Sequence, residues 1–194
     1  MNDMKLEKVV YGSPYLSLIE VVNMEAFPEE ERLPAAMMAE LCEKGDFDLW
    51  AVCEDDEFLG FTATVPSEVG VYVFFLAVER FHRGNGYGGR ILDLLREQYP
   101  GKPLFLDIEP LDPAADNLAL REGRKAFYLR NGFSESGCFF KYCGMEFEVL
   151  YTGIDSFDKD AFWHLMNKIG EAFSAYGIGG YEPRLDPYPS FTKQ

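Results

Sequence analysis

Histidine is almost missing from this chain, with two in 194 residues. That inventory excludes a His-rich metal site and leaves little for a triad built on a histidine base. Positive charge is scarce too: 18 Lys and Arg face 33 Asp and Glu, for a net charge of −15. A nucleic-acid partner is not expected, since one polyanion repels another at long range. The acid surplus fits simple solvation or the recruitment of a cationic small substrate. No run of about 18 apolar residues occurs, so neither a membrane-spanning helix nor a membrane partner is expected. The opening MNDMKLEKVV lacks the apolar stretch of a signal peptide. The cysteines, Cys42, Cys53, Cys138 and Cys143, include no C-x-x-C pair. Four reduced thiols in a cytoplasmic protein, with no metal and no disulfide framework, are the expectation. Internal repeats, low-complexity tracts and Ser/Gly linkers are lacking as well.

Apolar material is plentiful: 47% of the residues are hydrophobic and 15% aromatic, enough for one large core. Lys5 to Val10 reads as a first strand. PYLSLIEVVNMEAF (14–27) and LPAAMMAELCEKG, ending at Gly45, read as two helices with PEEER between them. From residue 48 the period changes. DLWAVCEDDEFLGFTATVP reads as a hairpin turning at Glu54–Glu57. GVYVFFLAV (70–78) is a continuous apolar run, as suits a strand buried on both faces. GGRILDLLREQYPG carries Ile91, Leu94, Leu95 and Tyr99 on one helical stripe and stops at Pro100–Gly101. KPLFLDIEP reads as a buried strand, and REGRKAFYLRNGF as a short helix closed by Asn131–Gly132. A second hairpin follows in FSESGCFFKY and MEFEVLYTG. DSFDKDAFWHLMNKIGEAFSAYG reads as a last helix, and 178–194 as a Pro/Gly/Tyr-rich tail. The order is not the strict alternation of a doubly wound parallel sheet. It predicts an α/β fold (α+β in its strand runs), a mixed sheet flanked by helices.

The octet HRGNGYGG (82–89) holds four glycines ahead of a well-patterned helix. Three readings are open. Gly84, Gly86 and Gly89 satisfy G-x-G-x-x-G, and Asp107 falls roughly 20 residues on, where a dinucleotide's ribose takes an acid. Against that reading, Glu79 to Arg83 separate the strand from the first glycine, and three strands precede the loop. An ordinary surface turn is the second reading. The third is an anion cradle. Gly86 and Gly88 let the backbone approach a ligand without a Cβ in the way. Successive N–H groups at a helix N-terminus would point outward, with Arg83 adding charge beside them.

In that third form, Leu76-Ala77-Val78, a linker over Glu79 to His82, and Arg83-Gly84-Asn85-Gly86-Tyr87-Gly88 resemble motif A of the GNAT acyltransferases, the Gcn5-related N-acetyltransferase family. AFYLRNGF (126–133) resembles its motif B. With the flanking elements, the resemblance spans about residues 5–152. One departure is visible: where family members often carry Asn to touch the CoA arm, this chain has Arg121. Arg121, Arg124 and Lys125 would approach CoA phosphates or form a solvated basic face, and Asn117 is the nearest substitute.

The resemblance implies a central sheet of about six or seven strands, splayed between the strands at 71–78 and 103–108. It implies transfer of an acetyl group from acetyl-CoA, as co-substrate, to a primary amine by direct attack in a ternary complex, with no metal. Main-chain groups of Leu76 and Val78 would bond the pantetheine amides. Arg83, Gly84, Asn85, Gly86, Tyr87, Gly88 and Gly89 would hold the pyrophosphate. A backbone N–H near Val78 would serve the oxyanion. Tyr128 would protonate the departing thiolate, or be a core aromatic beside Phe127; adjacent helical residues point about 100° apart, so both cannot face one core. An amine with pKa near ~10.4 must lose a proton first, at a cost on the order of 4–5 kcal/mol at pH 7. Glu109, sharing a strand face with Asp107, is the first candidate base, or else simply begins the Pro110 turn. Glu79 and His82 are poorer candidates. Glu29, Glu30 and Glu31 would border the acceptor or cap the second helix.

Residues 1–152 are expected to form the acyl-CoA-binding catalytic domain. Residues 153–194 would be a helix and tail packed on that domain or on a partner subunit. The tail aromatics (Phe157, Phe162, Trp163, Phe173, Tyr176, Tyr181, Tyr188) leave a homodimer open. The acceptor, a small molecule or a peptide amine, is not readable. Two other function classes stay open: a catalytically silent acyl-CoA sensor or interaction module, and an NAD(P)-dependent oxidoreductase.

Overall fold

The computed structural model describes residues 4–142 and 145–175. Cys143, Tyr176, Tyr181, Tyr188 and the rest of the tail lie outside the described residues. The chain divides into two compact units, Met1–Gly101 and Lys102–Gln194.

The first unit runs β1 (Met4–Lys8), α1 (Leu16–Ala26), α2 (Ala35–Lys44), β2 (Asp48–Glu54), β3 (Glu57–Pro66), β4 (Val71–Val78) and α3 (Tyr87–Gln98). Its strands pair antiparallel in the order β1-β2-β3-β4. The acidic turn of the β2–β3 hairpin is tight. Asp55 and Asp56 both have positive φ (49° and 69°), the combination a two-residue hairpin turn demands. α2 ends as its sequence foretells: Gly45 is left-handed at φ 90°, and its N–H bonds to the Cys42 carbonyl. The cap at the other end was not foreseen. The Ala35 N–H donates to Glu20 Oε2 (2.6 Å), so a carboxylate of α1 caps the start of α2.

The core of this unit is mostly apolar, with buried polar side chains at Asn23, Thr62 and Thr64. Ile91, Leu92 and Leu95 of α3 are fully buried; Leu92 takes the place expected for Leu94. At the end of α3 the Tyr99 hydroxyl meets Asp48 Oδ2 (2.7 Å), Thr64 Oγ1 (2.7 Å) and Trp50 Nε1 (3.3 Å). Cys42 and Cys53 are buried, and burial raises both thiol pKa values, that of Cys42 to about 12. β4 is buried on both faces only in its first half. Phe74, Leu76 and Val78 are half-buried, while Phe75 and Ala77 are buried.

The second unit runs β5 (Leu104–Ile108), α4 (Leu118–Arg130), β6 (Ser134–Tyr142), β7 (Met145–Thr152) and α5 (Lys159–Ala175). Its strands pair antiparallel in the order β5-β7-β6, with a bulge in β6 between Glu135 and Phe139. Period two sends Phe105, Val149 and Tyr151 to one face. There Phe157 and Phe162 pack on Phe105 at 6.2 and 5.7 Å between ring centroids, and Phe162 also meets Phe140 at 6.3 Å. Phe162, Leu165, Met166, Ile169 and Phe173 form the buried stripe of α5. Among the described residues, no helix is long and apolar enough to cross a membrane.

One glycine in β3 is required by contact. A Cβ on Gly60 would overlap the Ala77 carbonyl oxygen of β4. Gly60→Ala should therefore force the β3–β4 pairing apart and destabilise the protein by about 1–3 kcal/mol. Urea denaturation of the two proteins, compared at equal m-value, measures this.

Candidate active site

The glycine loop follows β4 through a one-turn 3-10 helix, Arg80–His82. Gly84 and Gly86 both take left-handed φ values, 81° and 82°, and Gly86 is the N-cap of α3. A residue with a Cβ pays about 1–2 kcal/mol there. This backbone path turns the N–H groups of Gly84, Asn85, Gly86, Tyr87 and Gly88 away from any main-chain acceptor among the described residues. Gly89 differs from the expectation, since its N–H closes the turn on the Gly86 carbonyl at 3.1 Å.

Side chains brace this loop. The Tyr87 hydroxyl donates to Glu54 Oε2 (3.0 Å), and Arg90 Nη1 to Glu54 Oε1 (2.7 Å). Arg90 holds the Glu54 carboxyl below its usual pKa, and the hydrogen bond to Glu54 raises the Tyr87 phenol. The Tyr87 side chain is therefore an anchor to the end of β2, while its N–H stays open. Arg83 Nε donates to the Val78 carbonyl (2.8 Å), so this carbonyl is engaged by the chain itself. The Glu79 N–H bonds to the Leu59 carbonyl (2.8 Å). By the alternation of an antiparallel ladder, the main-chain groups of Val78 and Leu76 then turn away from β3. Glu79 accepts the Phe81 N–H (2.7 Å), and His82 Nε2 stands 3.5 Å from Glu57 and 3.9 Å from Glu79.

In the second unit, Glu109 sits just past β5, held by Arg121 Nη2 (2.8 Å), Arg124 Nη1 (3.0 Å) and Asn117 Nδ2 (3.5 Å). Arg121 also donates to Asn117 Oδ1 (2.7 Å) and the Pro110 carbonyl (2.9 Å). The basic face of α4 is thus paired with acids of this unit, while Arg124 stays exposed. Glu109 and Asp107 do not stand as a bare pair of acids, because both guanidinium groups lie on Glu109. A cavity of about 450 Å³ opens here, lined by Glu109, Arg121, Asp112, Glu146, Phe139 and Met145, among others.

Tyr128 lies two turns further along α4, its ring against Phe127 (5.0 Å) and Phe133 (5.4 Å). Burial raises its pKa to about 12, with Arg124 opposing and Asp107 adding to the shift. The phenol therefore keeps its proton at neutral pH. Among the described residues its hydroxyl makes no hydrogen bond.

A further polar cluster went unread in the sequence. Lys125 Nζ contacts both carboxylate oxygens of Glu148 (2.8 and 2.9 Å) and also Glu135. Glu148 is 3% exposed. A signal was there in principle: in MEFEVLYT, Glu148 falls on the same strand face as Leu150, where a helix must cover it. Among the described residues no group of His, Cys, Asp and Glu is placed to hold a metal ion.

The model of the Acetyltransferase (GNAT) family matches residues 17–133, more than half of the chain. The chain belongs to the GNAT family of acetyltransferases, and is a GNAT-type enzyme by that membership. No curated protein matches its sequence. Among solved structures it is similar to a protein of Bacteroides thetaiotaomicron assigned to the GNAT acetyltransferases, with 22% identity, TM-score 0.70, and coverage of 89% of this chain and 98% of that one. It is also similar to an aminoglycoside 6'-N-acetyltransferase complexed with coenzyme A (20%, TM-score 0.61, coverage 79% and 99%). A third is a GNAT acetyltransferase of Elizabethkingia anophelis with acetyl-CoA bound (13%, TM-score 0.54, coverage 79% and 100%). These likenesses establish the α/β fold of the family, as the order of elements predicts.

The Tyr128 phenol has a measurable consequence for stability. An unfolded tyrosine releases its proton near pH 10.0 and the folded one near 12. Between these values the native state holds a proton the unfolded chain has lost, so stability falls as pH rises through the window. Tyr128→Phe removes this contribution. Urea melts at pH 9 to 12 should show the wild type losing stability more steeply than the variant.

Proposed function

We propose that the protein transfers an acetyl group from acetyl-CoA to a primary amine, by direct attack of the amine in a ternary complex. The observation that carries this reading is the row of N–H groups from Gly84 to Gly88, at the N-terminus of α3, that have no main-chain acceptor among the described residues. A pyrophosphate satisfies such donors, and the helix dipole favours its charge. The main-chain groups of Leu76 and Val78 that turn away from β3 would meet the pantetheine amides. Arg83, bound through Nε to Val78, would offer its remaining N–H groups to phosphate. The reactive end of acetyl-CoA would carry the thioester, and the chain's residues handle the protons.

Tyr128 is assigned the proton given to the departing thiolate: its phenol is protonated at neutral pH, and among the described residues its hydroxyl makes no hydrogen bond. Glu109 is assigned the removal of the amine proton, directly or through water, with Arg121 and Arg124 fixing its orientation. The acceptor is an amine of a small molecule or peptide. The cavity beside Glu109 and the chain's acid surplus both favour a cationic one.

Two measurements test the reading. Acetyl-CoA should raise the melting temperature where NAD and NADP do not. Tyr128→Phe should keep this thermal shift but lower kcat on the order of 10²-fold, measured as thiol release with an amine panel. A wild type stabilised by acetyl-CoA yet inert across the panel would instead mark a silent acyl-CoA-binding module.

A further inference from the structure

Each of the two units docks its helix by a different force. α3 lays Ile91, Leu92 and Leu95 into its core, all fully buried. α4 has no fully buried residue at all. Its sheet-facing stripe is Arg121, Lys125 and Tyr128, at spacings of four and three, and the first two are held by carboxylates. Lys125 lies at the centre. Its ammonium has three N–H donors, and three carboxylate oxygens receive them: two of Glu148 and one of Glu135. Glu148 comes from β7, where its cross-strand neighbours are Ile108 and Phe139; Glu135 comes from β6. The ammonium thus ties α4 to two strands at once.

We infer that Lys125 is a positioning residue: clamped by Glu148 and Glu135, it fixes the rotation of α4 and thereby aims the Tyr128 hydroxyl, one turn further along the same stripe. The inference rests on the reading of Tyr128 as the proton donor. Misplacing a reacting group by about 1 Å costs on the order of 10²-fold in rate. Removing Lys125 should therefore act on kcat, with KM for acetyl-CoA nearly unchanged.

A Lys125→Met variant strands a buried carboxylate and can lose stability for that reason alone. The decisive protein is the double variant Lys125→Met/Glu148→Leu, which removes both charges and replaces a buried ion pair by apolar groups. kcat is measured as CoA thiol release with spermidine, kanamycin and an alanyl peptide as acceptors. In parallel, 3-fluorotyrosine replaces tyrosine, and the Tyr128 ¹⁹F signal is assigned by its loss in Tyr128→Phe. The expected result is a double variant that melts like the wild type, keeps its acetyl-CoA thermal shift, shows a displaced ¹⁹F signal, and has kcat lowered about 10- to 100-fold. In a Tyr128→Phe background, Lys125→Met should lower kcat no further, because it acts through Tyr128. Recovery of wild-type kcat and ¹⁹F signal in the double variant overturns the inference, as do independent, additive losses. If Tyr128→Phe is impaired while Lys125→Met is normal, positioning fails and the reading of Tyr128 stands. If Tyr128→Phe itself leaves kcat unchanged, that reading falls and the inference with it.

Discussion

Peptide N–H groups from Gly84 to Gly88 that find no main-chain acceptor among the described residues are the constraint around which the first unit is organised. A helix must begin with unsatisfied donors, and most proteins hide this with a capping side chain. Here the N-cap is a left-handed glycine that offers no side chain, so the donors stay open. Holding such a glycine turn in place takes support from outside it. Glu54 supplies that support by binding Tyr87 and Arg90 together, and Glu79 closes the preceding 3-10 turn. The apolar stripe of α3 then sets the helix against the core. The donors can be exposed because everything around them is fixed.

The second unit solves a related problem with charge. Glu109 and Glu148 carry negative charge to places where water is limited, and each must be matched there. The matching bases all come from α4. Ion pairs of this kind add little net stability compared with apolar packing, but they are directional, and each admits few alternative arrangements.

Much of this was legible in the sequence, and the rest was not for identifiable reasons. The β2–β3 hairpin shows in its composition, since Asp55–Asp56 between β-rich flanks tolerate the positive φ of the turn. The end of α2 shows in Gly45. The left-handed turns at Gly84 and Gly86 show in the glycine spacing after Val78, because glycine placement reflects a local backbone need. Helix starts were less clear. α4 begins at Leu118, not near Arg121, since Asn117 provides its first carbonyl acceptor in a stretch with no apolar stripe to mark it. α5 begins after Asp158, whose Oδ1 accepts from Asp160 and Ala161, and the earlier Asp155 looked equally suitable. The ion pairs of Lys125 with Glu148 and of Arg121 with Glu109 join residues 23 and 12 positions apart. No local pattern encodes such a pairing; it follows only from how the strands order themselves. Tyr128 could be singled out from its motif, but its raised pKa comes from burial that a sequence does not display.

The buried thiols of the first unit bear on a different hazard. A protein that handles a thioester risks exchange of the acyl group onto its own cysteines, and the species that attacks is the thiolate. Cys42 and Cys53 are shut away from solvent, and burial raises both pKa values, so they remain as thiols at neutral pH. Close packing around β2 and α2 thus shields these sulfurs from self-acylation.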